Sequence, residues 1–117
     1  MDKELTIKVH KKRGHKLLPE KIKGQLPKLY SQESADNQMA VLKFFTPYGS
    51  WTWYVIEGEE MKNGDFEFFG LVDGFEKELG YFYLSELEEA TVKMGDFDLP
   101  AVERDIYFEK TEISKLK

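Results

Sequence analysis

Two runs rich in large apolar residues, residues 65–72 (DFEFFGLV) and 76–83 (EKELGYFY), are separated by little more than Asp73-Gly74. That dipeptide best tolerates the positive φ angles of a tight hairpin turn, so the segment is read as two antiparallel strands. With Asp73 and Gly74 as the two central turn residues, Val72 faces Phe75, Leu71 faces Glu76, Phe69 faces Glu78, Phe68 faces Leu79 and Phe66 faces Tyr81. Opposed residues share a face and the faces alternate. One face then gathers Phe66, Phe68, Val72, Phe75, Leu79, Tyr81 and Tyr83 as a core face. The other gathers Asp65, Glu67, Phe69, Leu71, Glu76, Glu78 and Phe82, a half-wet mixture of carboxylates and apolar groups.

Upstream, MAVLKFF (39–45) and WTWYVIE (51–57) are rich in aromatic and β-branched residues, and TPYGS between them has turn chemistry in Pro47 and Gly49. In the second of these runs Trp51, Trp53 and Val55 point one way and Thr52, Tyr54 and Ile56 the other. Both faces are largely apolar, as in a central strand buried on both sides. GEEMKNG is a loop with an Asn63-Gly64 turn. Before these strands, Pro19 at a helix-start position and Ile22, Leu26 and Leu29 at helical spacing predict a short helix over 19–26, ended by Pro27 and followed by a further turn. After the hairpin, Ser85 with Glu88 three residues on has the pattern of a capping box, residues 91–103 read as irregular with Gly95 and Pro100 as breakers, and RDIYFEK (104–110) is a fifth strand. The expected architecture is α+β: a mostly antiparallel sheet of about five strands with the N-terminal helix packed on one face and short additional helices. Residues 1–16 form a basic extension and 17–117 a single domain.

Charge is unevenly spread. Residues 1–30 hold nine Lys/Arg against three Asp/Glu, and residues 31–117 hold eight against nineteen. The basic end, KVHKKRGHK (8–16), offers Lys11, Lys12, Arg13 and Lys16 as phosphate contacts, although no aromatic residue is interleaved with them. His10 and His15 lie in the same stretch, and two histidines without a third ligand make a weak metal site. The chain has no cysteine, which excludes disulfides and thiolate chemistry and points to a reducing, cytoplasmic setting. No apolar stretch reaches the length needed to span a bilayer.

Catalytic chemistry finds little support. No histidine lies within the domain to serve a nucleophile, no glycine loop ends in GKS or GKT, and no motif calls for a cofactor. Glu57, Asp65 and Glu67 are the one carboxylate group that convergence at a sheet end would turn into an acid–base pair or a Mg²⁺ or Ca²⁺ site. Arg104 is the lone arginine in the acidic portion, and pairing with a neighbouring carboxylate is its expected role. Trp51, Trp53 and Tyr54 carry more polar-tipped aromatic surface than a small core needs. If one ring is exposed beside Glu57 or Glu67, it becomes an anchor for a partner.

The blocks LLPEKIKGQLPKLY, KFFTPYGSWTWYVIEGE, DFEFFGLVDGFEKELGYFYLSELEE and LPAVERDIYF resemble, in order and spacing, the bacterial domain of unknown function 2958, over residues 17 to 110. Residues 90–98 depart from that family's Gly-Pro-rich loop, and residues 1–16 lie outside it. The resemblance implies small proteins carried on plasmids, phages and other mobile elements, and supplies no activity. Three functions follow. The first and preferred one is a non-catalytic module that engages a protein through its acidic, aromatic-bearing face, centred on Glu67, Phe69, Glu78 and Phe82. The second is a nucleic-acid-associated protein that uses the basic arm. The third is a small carboxylate- or metal-dependent hydrolase using Glu57, Asp65 and Glu67.

Overall fold

The computed structural model describes residues 15–32 and 37–117. A single turn of helix, α1 (Glu20–Lys23), precedes β1 (Met39–Ala40), β2 (Leu42–Phe45), β3 (Thr52–Glu60), β4 (Phe66–Asp73) and β5 (Lys77–Tyr83). There follow α2 (Leu84–Glu89), β6 (Thr91–Met94), β7 (Phe97–Pro100), β8 (Glu103–Arg104), β9 (Thr111–Glu112) and a 3₁₀ turn, Ile113–Lys115. Five strands form one antiparallel sheet in the order β5-β4-β3-β2-β8, and two small ladders, β1-β9 and β6-β7, lie outside it. The fold is β-rich with few helices, and α+β in the broad sense.

The aromatic run at 51–57 feeds the central strand. From Thr52 to Val55, β3 pairs with β2 on one side and β4 on the other, so its backbone groups are satisfied inside the sheet and both its faces are covered. On one face Val55 packs with Leu42, Phe44, Phe66, Phe68 and Phe82, joined by Leu17 and Leu18 from before α1 and by Leu87 and Val102. On the other, Ile56 packs with Ala40, Leu71 and Ile113, flanked by Tyr54, Phe69 and Phe108. The sheet is therefore a partition between a larger and a smaller apolar cluster.

A β-bulge between Val55 and Glu57 inserts one extra residue in β3: Val55 pairs with Gly70, whereas Glu57 pairs with Phe69. Uninterrupted alternation would send Glu57 to the side of Trp53 and Val55, inside the larger cluster. The extra residue turns it to the side of Ile56 and Phe69 instead. Gly70 stands opposite this irregularity because no side chain fits there. A Cβ on it would lie 1.9 Å from the Tyr54 carbonyl oxygen.

The β4–β5 hairpin forms where Asp73-Gly74 predicts it, but with a different register. Asp73 pairs with Lys77, Leu71 with Leu79, Phe69 with Tyr81 and Phe68 with Phe82. The loop is thus Gly74-Phe75-Glu76, and the pairing is displaced by three residues from a two-residue turn. An odd displacement exchanges the faces of β5. Phe82 and Glu78 lie on the side of Phe68 and Val72, with Phe82 buried, whereas Leu79 and Tyr81 join Leu71 and Phe69. Gly74 does not adopt the positive φ expected of it and is required for a different reason: Trp51 lies over it, and a Cβ would come within 2.4 Å of the indole ring.

Elsewhere the pattern is shorter or longer than the sequence suggests. The helix expected over 19–26 is one turn, Glu20–Lys23, without a buried residue, and Leu17 and Leu18 make the fully buried contacts nearby. Strand β3 runs to Glu60 and takes in part of the expected loop, after which Gly64, at φ 88°, closes the turn with Asn63. Residues 91–100 are a hairpin rather than irregular, because Gly95, at φ 66°, serves as a turn residue between Met94 and Phe97 and not as a breaker. The fifth strand of the sheet is only Glu103–Arg104, since a turn at Asp105–Phe108 diverts the chain to β9. The capping carboxylate of α2 is Glu86, not Glu88, which accepts the Tyr83 N–H at 3.1 Å. Ser85 is bound instead to Asp65, donating its hydroxyl at 2.6 Å and its N–H at 3.1 Å.

Candidate functional site: an aromatic and acidic cleft at the hairpin tip

The three carboxylates grouped by sequence each have a separate structural role. Glu57 is 3% exposed, and its two oxygens accept the backbone N–H groups of Tyr30 at 2.9 Å and Gln32 at 2.5 Å. Tyr30 sits at φ 69°, a left-handed conformation uncommon for a non-glycine residue, so the buried carboxylate holds a turn that is unfavourable by itself. Just beyond the pairing with β2, the Gly58 N–H donates to the Pro27 carbonyl at 2.9 Å and draws the same segment against β3. Asp65 tethers the start of α2 through Ser85, and Glu67 accepts the Tyr83 hydroxyl at 3.2 Å. Among the described residues, no group of three or more histidines and carboxylates is placed to hold a metal ion.

The Tyr83 phenol is raised above the ordinary tyrosine value, first by the hydrogen bond to Glu67 and then by the charge of that carboxylate. A raised value in the folded state means that this contribution is fully present below the unfolded tyrosine pKa of 10.0 and is lost as pH climbs through the folded one. In an ultraviolet absorbance titration of the six tyrosines, Tyr83 is expected to ionise late, and Glu67→Gln, which removes the largest charge contribution, is expected to shorten the delay.

Arg104 departs from its expected pairing with a carboxylate. Its Nε donates to the Lys16 carbonyl at 3.3 Å, its backbone N–H donates to His15 Nε2 at 3.2 Å, and no salt bridge among the described residues includes it. Burial pushes its pKa down. The arginine fastens the segment before α1 to the outer side of β8. Lys43 pairs with Asp105 at 3.6 Å beside it, and these residues border a groove of about 410 Å³ with Phe45 and Tyr107. Lys16 is exposed, and Lys11, Lys12, Arg13 and His10 lie outside the described residues.

The patch expected from Glu67, Phe69, Glu78 and Phe82 is divided by the register, with Glu67 and Phe69 on one face and Glu78 and the buried Phe82 on the other. Tyr54 is partly buried against the smaller cluster, with Lys43 Nζ 5.8 Å from its ring centre. A different constellation comes together at the hairpin tip. Trp51, just before β3, is 36% exposed, lies 6.0 Å from Trp53 between ring centres, and meets Phe75 edge-on at 5.5 Å. Phe75, at the turn, is 96% exposed. With Val72, Glu76 and Glu78, the rings of Trp51 and Phe75 line an open cleft of about 260 Å³. Sequence reasoning marked Trp51, Trp53 and Glu78 but placed Phe75 in a core face, because a two-residue turn pairs Phe75 with Val72, whereas the observed three-residue loop leaves it at the tip.

A cleft of that size suits one side chain better than a cofactor or a drug-sized ligand. It combines π faces with two carboxylates, the surroundings that favour a cation. The class defined by fold and site is a small β-rich domain bearing an acidic aromatic cleft on a hairpin tip. The chain belongs to the family described as protein of unknown function (DUF2958), whose model matches residues 17–116. No curated protein and no solved structure matches it. No helix among the described residues is long and apolar enough to cross a membrane.

Proposed function

We propose that this protein is a non-catalytic binding module that captures a protein partner by taking a lysine or arginine side chain into the Trp51–Phe75 cleft, beside Glu76 and Glu78. The observation that carries this reading is the 96% exposure of Phe75 against a second, partly exposed ring with carboxylates at the rim. A phenylalanine so exposed contributes almost nothing to folding, whereas on contact it supplies apolar area and a quadrupole for a cation. The excess of acidic residues over 31–117 steers a basic partner toward the same region. The cysteine-free composition supports a cytoplasmic setting, and the resemblance to a family carried on plasmids and phages supports an accessory role in such elements.

The test is a pull-down from the host lysate, run with and without nuclease, in which the wild-type chain is compared with Phe75→Ala and Glu78→Lys. A partner retained by the wild type and reduced tenfold or more by each variant is the expected result. Both variants are expected to keep their melting temperature within a few degrees, since neither residue is buried. Equal capture by all three chains overturns the reading, and capture that vanishes with nuclease transfers it to nucleic acid.

A further inference from the structure

The two edges of the five-stranded sheet differ. Strand β8 is two residues long, and its outer side is occupied, because Arg104 binds His15 and Lys16 through its backbone N–H and its Nε. Strand β5 is seven residues long, is straight in register with β4 and contains no proline. No strand among the described residues pairs with its outer edge. Natural sheets ordinarily blunt such an edge with brevity, bulges, proline or a covering loop, and an uncovered one takes up another strand.

Along β5 the two faces differ in chemistry with the period of two that a strand reads. On one side Glu78 adjoins Trp51, Val72 and Glu76 in the cleft. On the other, Leu79 and Tyr81 are 43% and 48% exposed and neighbour Phe69 and Leu71 across the ladder. Gly80 lies between them, and a Cβ on it would meet nothing within 4 Å.

We infer that β5 accepts an extended segment of the partner as a sixth strand, with basic side chains alternating with apolar ones. The inference rests on the reading of the cleft above and specifies the shape of what enters it. Basic residues fall on the side of Glu76 and Glu78, apolar residues on the side of Leu79 and Tyr81, and main-chain hydrogen bonds to the β5 edge set the register. Charge selects this occupant over a second copy of the chain, since two copies bring together like net charges of -5.

The test uses the full chain, labelled with ¹⁵N, and the capped peptide acetyl-KVKVKVK-amide. Two analogues of equal charge are compared with it, one N-methylated at every valine and the other at every lysine. Alternate amides point to opposite edges of a strand, so each analogue is blocked along one edge only. The expected result is that one analogue loses at least tenfold in affinity while the other stays within threefold of the parent. Alternate amides of Lys77–Tyr83 are expected to become protected from exchange. Equal affinity of both analogues overturns strand addition while leaving the cleft reading intact. Edge-selective binding that is unchanged by Phe75→Ala and Glu78→Lys does the reverse. Failure of the parent peptide to bind at millimolar concentration overturns the inference, as does a concentration-dependent dimer abolished by Leu79→Lys.

Discussion

Glu57→Ala is expected to lower the stability of this domain by about 3 kcal/mol, because it leaves the Tyr30 and Gln32 N–H groups without the acceptor they share. Each orphaned donor costs about 1–3 kcal/mol when it stays buried. The left-handed turn at Tyr30 also loses the contact that holds it. For a domain of this size the loss corresponds to a fall in Tm of about 10–20 °C. Glu57→Gln keeps the shape but turns an amide N–H₂ toward one of two donors, and is expected to cost about 2 kcal/mol. Thermal unfolding followed by circular dichroism measures both. A carboxylate held for acid–base chemistry gives the opposite pattern, with the glutamine variant folding as well as the wild type.

The second large effect comes from one methyl group. Gly70→Ala is expected to cost about 4 kcal/mol or more, since its Cβ falls on the Tyr54 carbonyl oxygen in the central strand, where backbone and not a flexible side chain must move. Its cross-strand partner provides the control. Gly80→Ala places the same methyl where nothing lies within 4 Å, and is expected to be neutral or stabilising by about 0.5 kcal/mol. Denaturant titration of the pair separates steric exclusion at the bulge from the general effect of glycine in a strand.

The central strand and the hairpin were legible because they rest on strong local chemistry. A run such as WTWYVIE has no amphipathic face to expose, and Asp73-Gly74 marks a reversal wherever apolar runs flank it. The register was not legible. Both faces of β5 carry large rings, Tyr81 and Phe82 being neighbours, so apolar pattern alone cannot distinguish a two-residue from a three-residue loop. The deciding contact is tertiary: Trp51 covers Gly74 and meets Phe75 edge-on, across more than twenty residues of chain. The bulge at Ile56 was hidden for a related reason, because Val55 and Ile56 suit either cluster and only Glu57 reveals which way the strand has turned. Arg104 was read by its charge, whereas its position is set by a backbone carbonyl, which leaves no mark in the identity of Lys16.

The closure of the β8 side by His15 and Lys16 has a consequence for assembly. A filament of stacked sheets requires two complementary edges on every subunit, so that each arrival presents a fresh template for the next. Among the described residues, the five-stranded sheet presents such a template on β5 and not on β8. In the proposed mode of binding, a strand joining there becomes a terminus, the five-stranded sheet grows no further, and a long edge is used without opening a route to fibres.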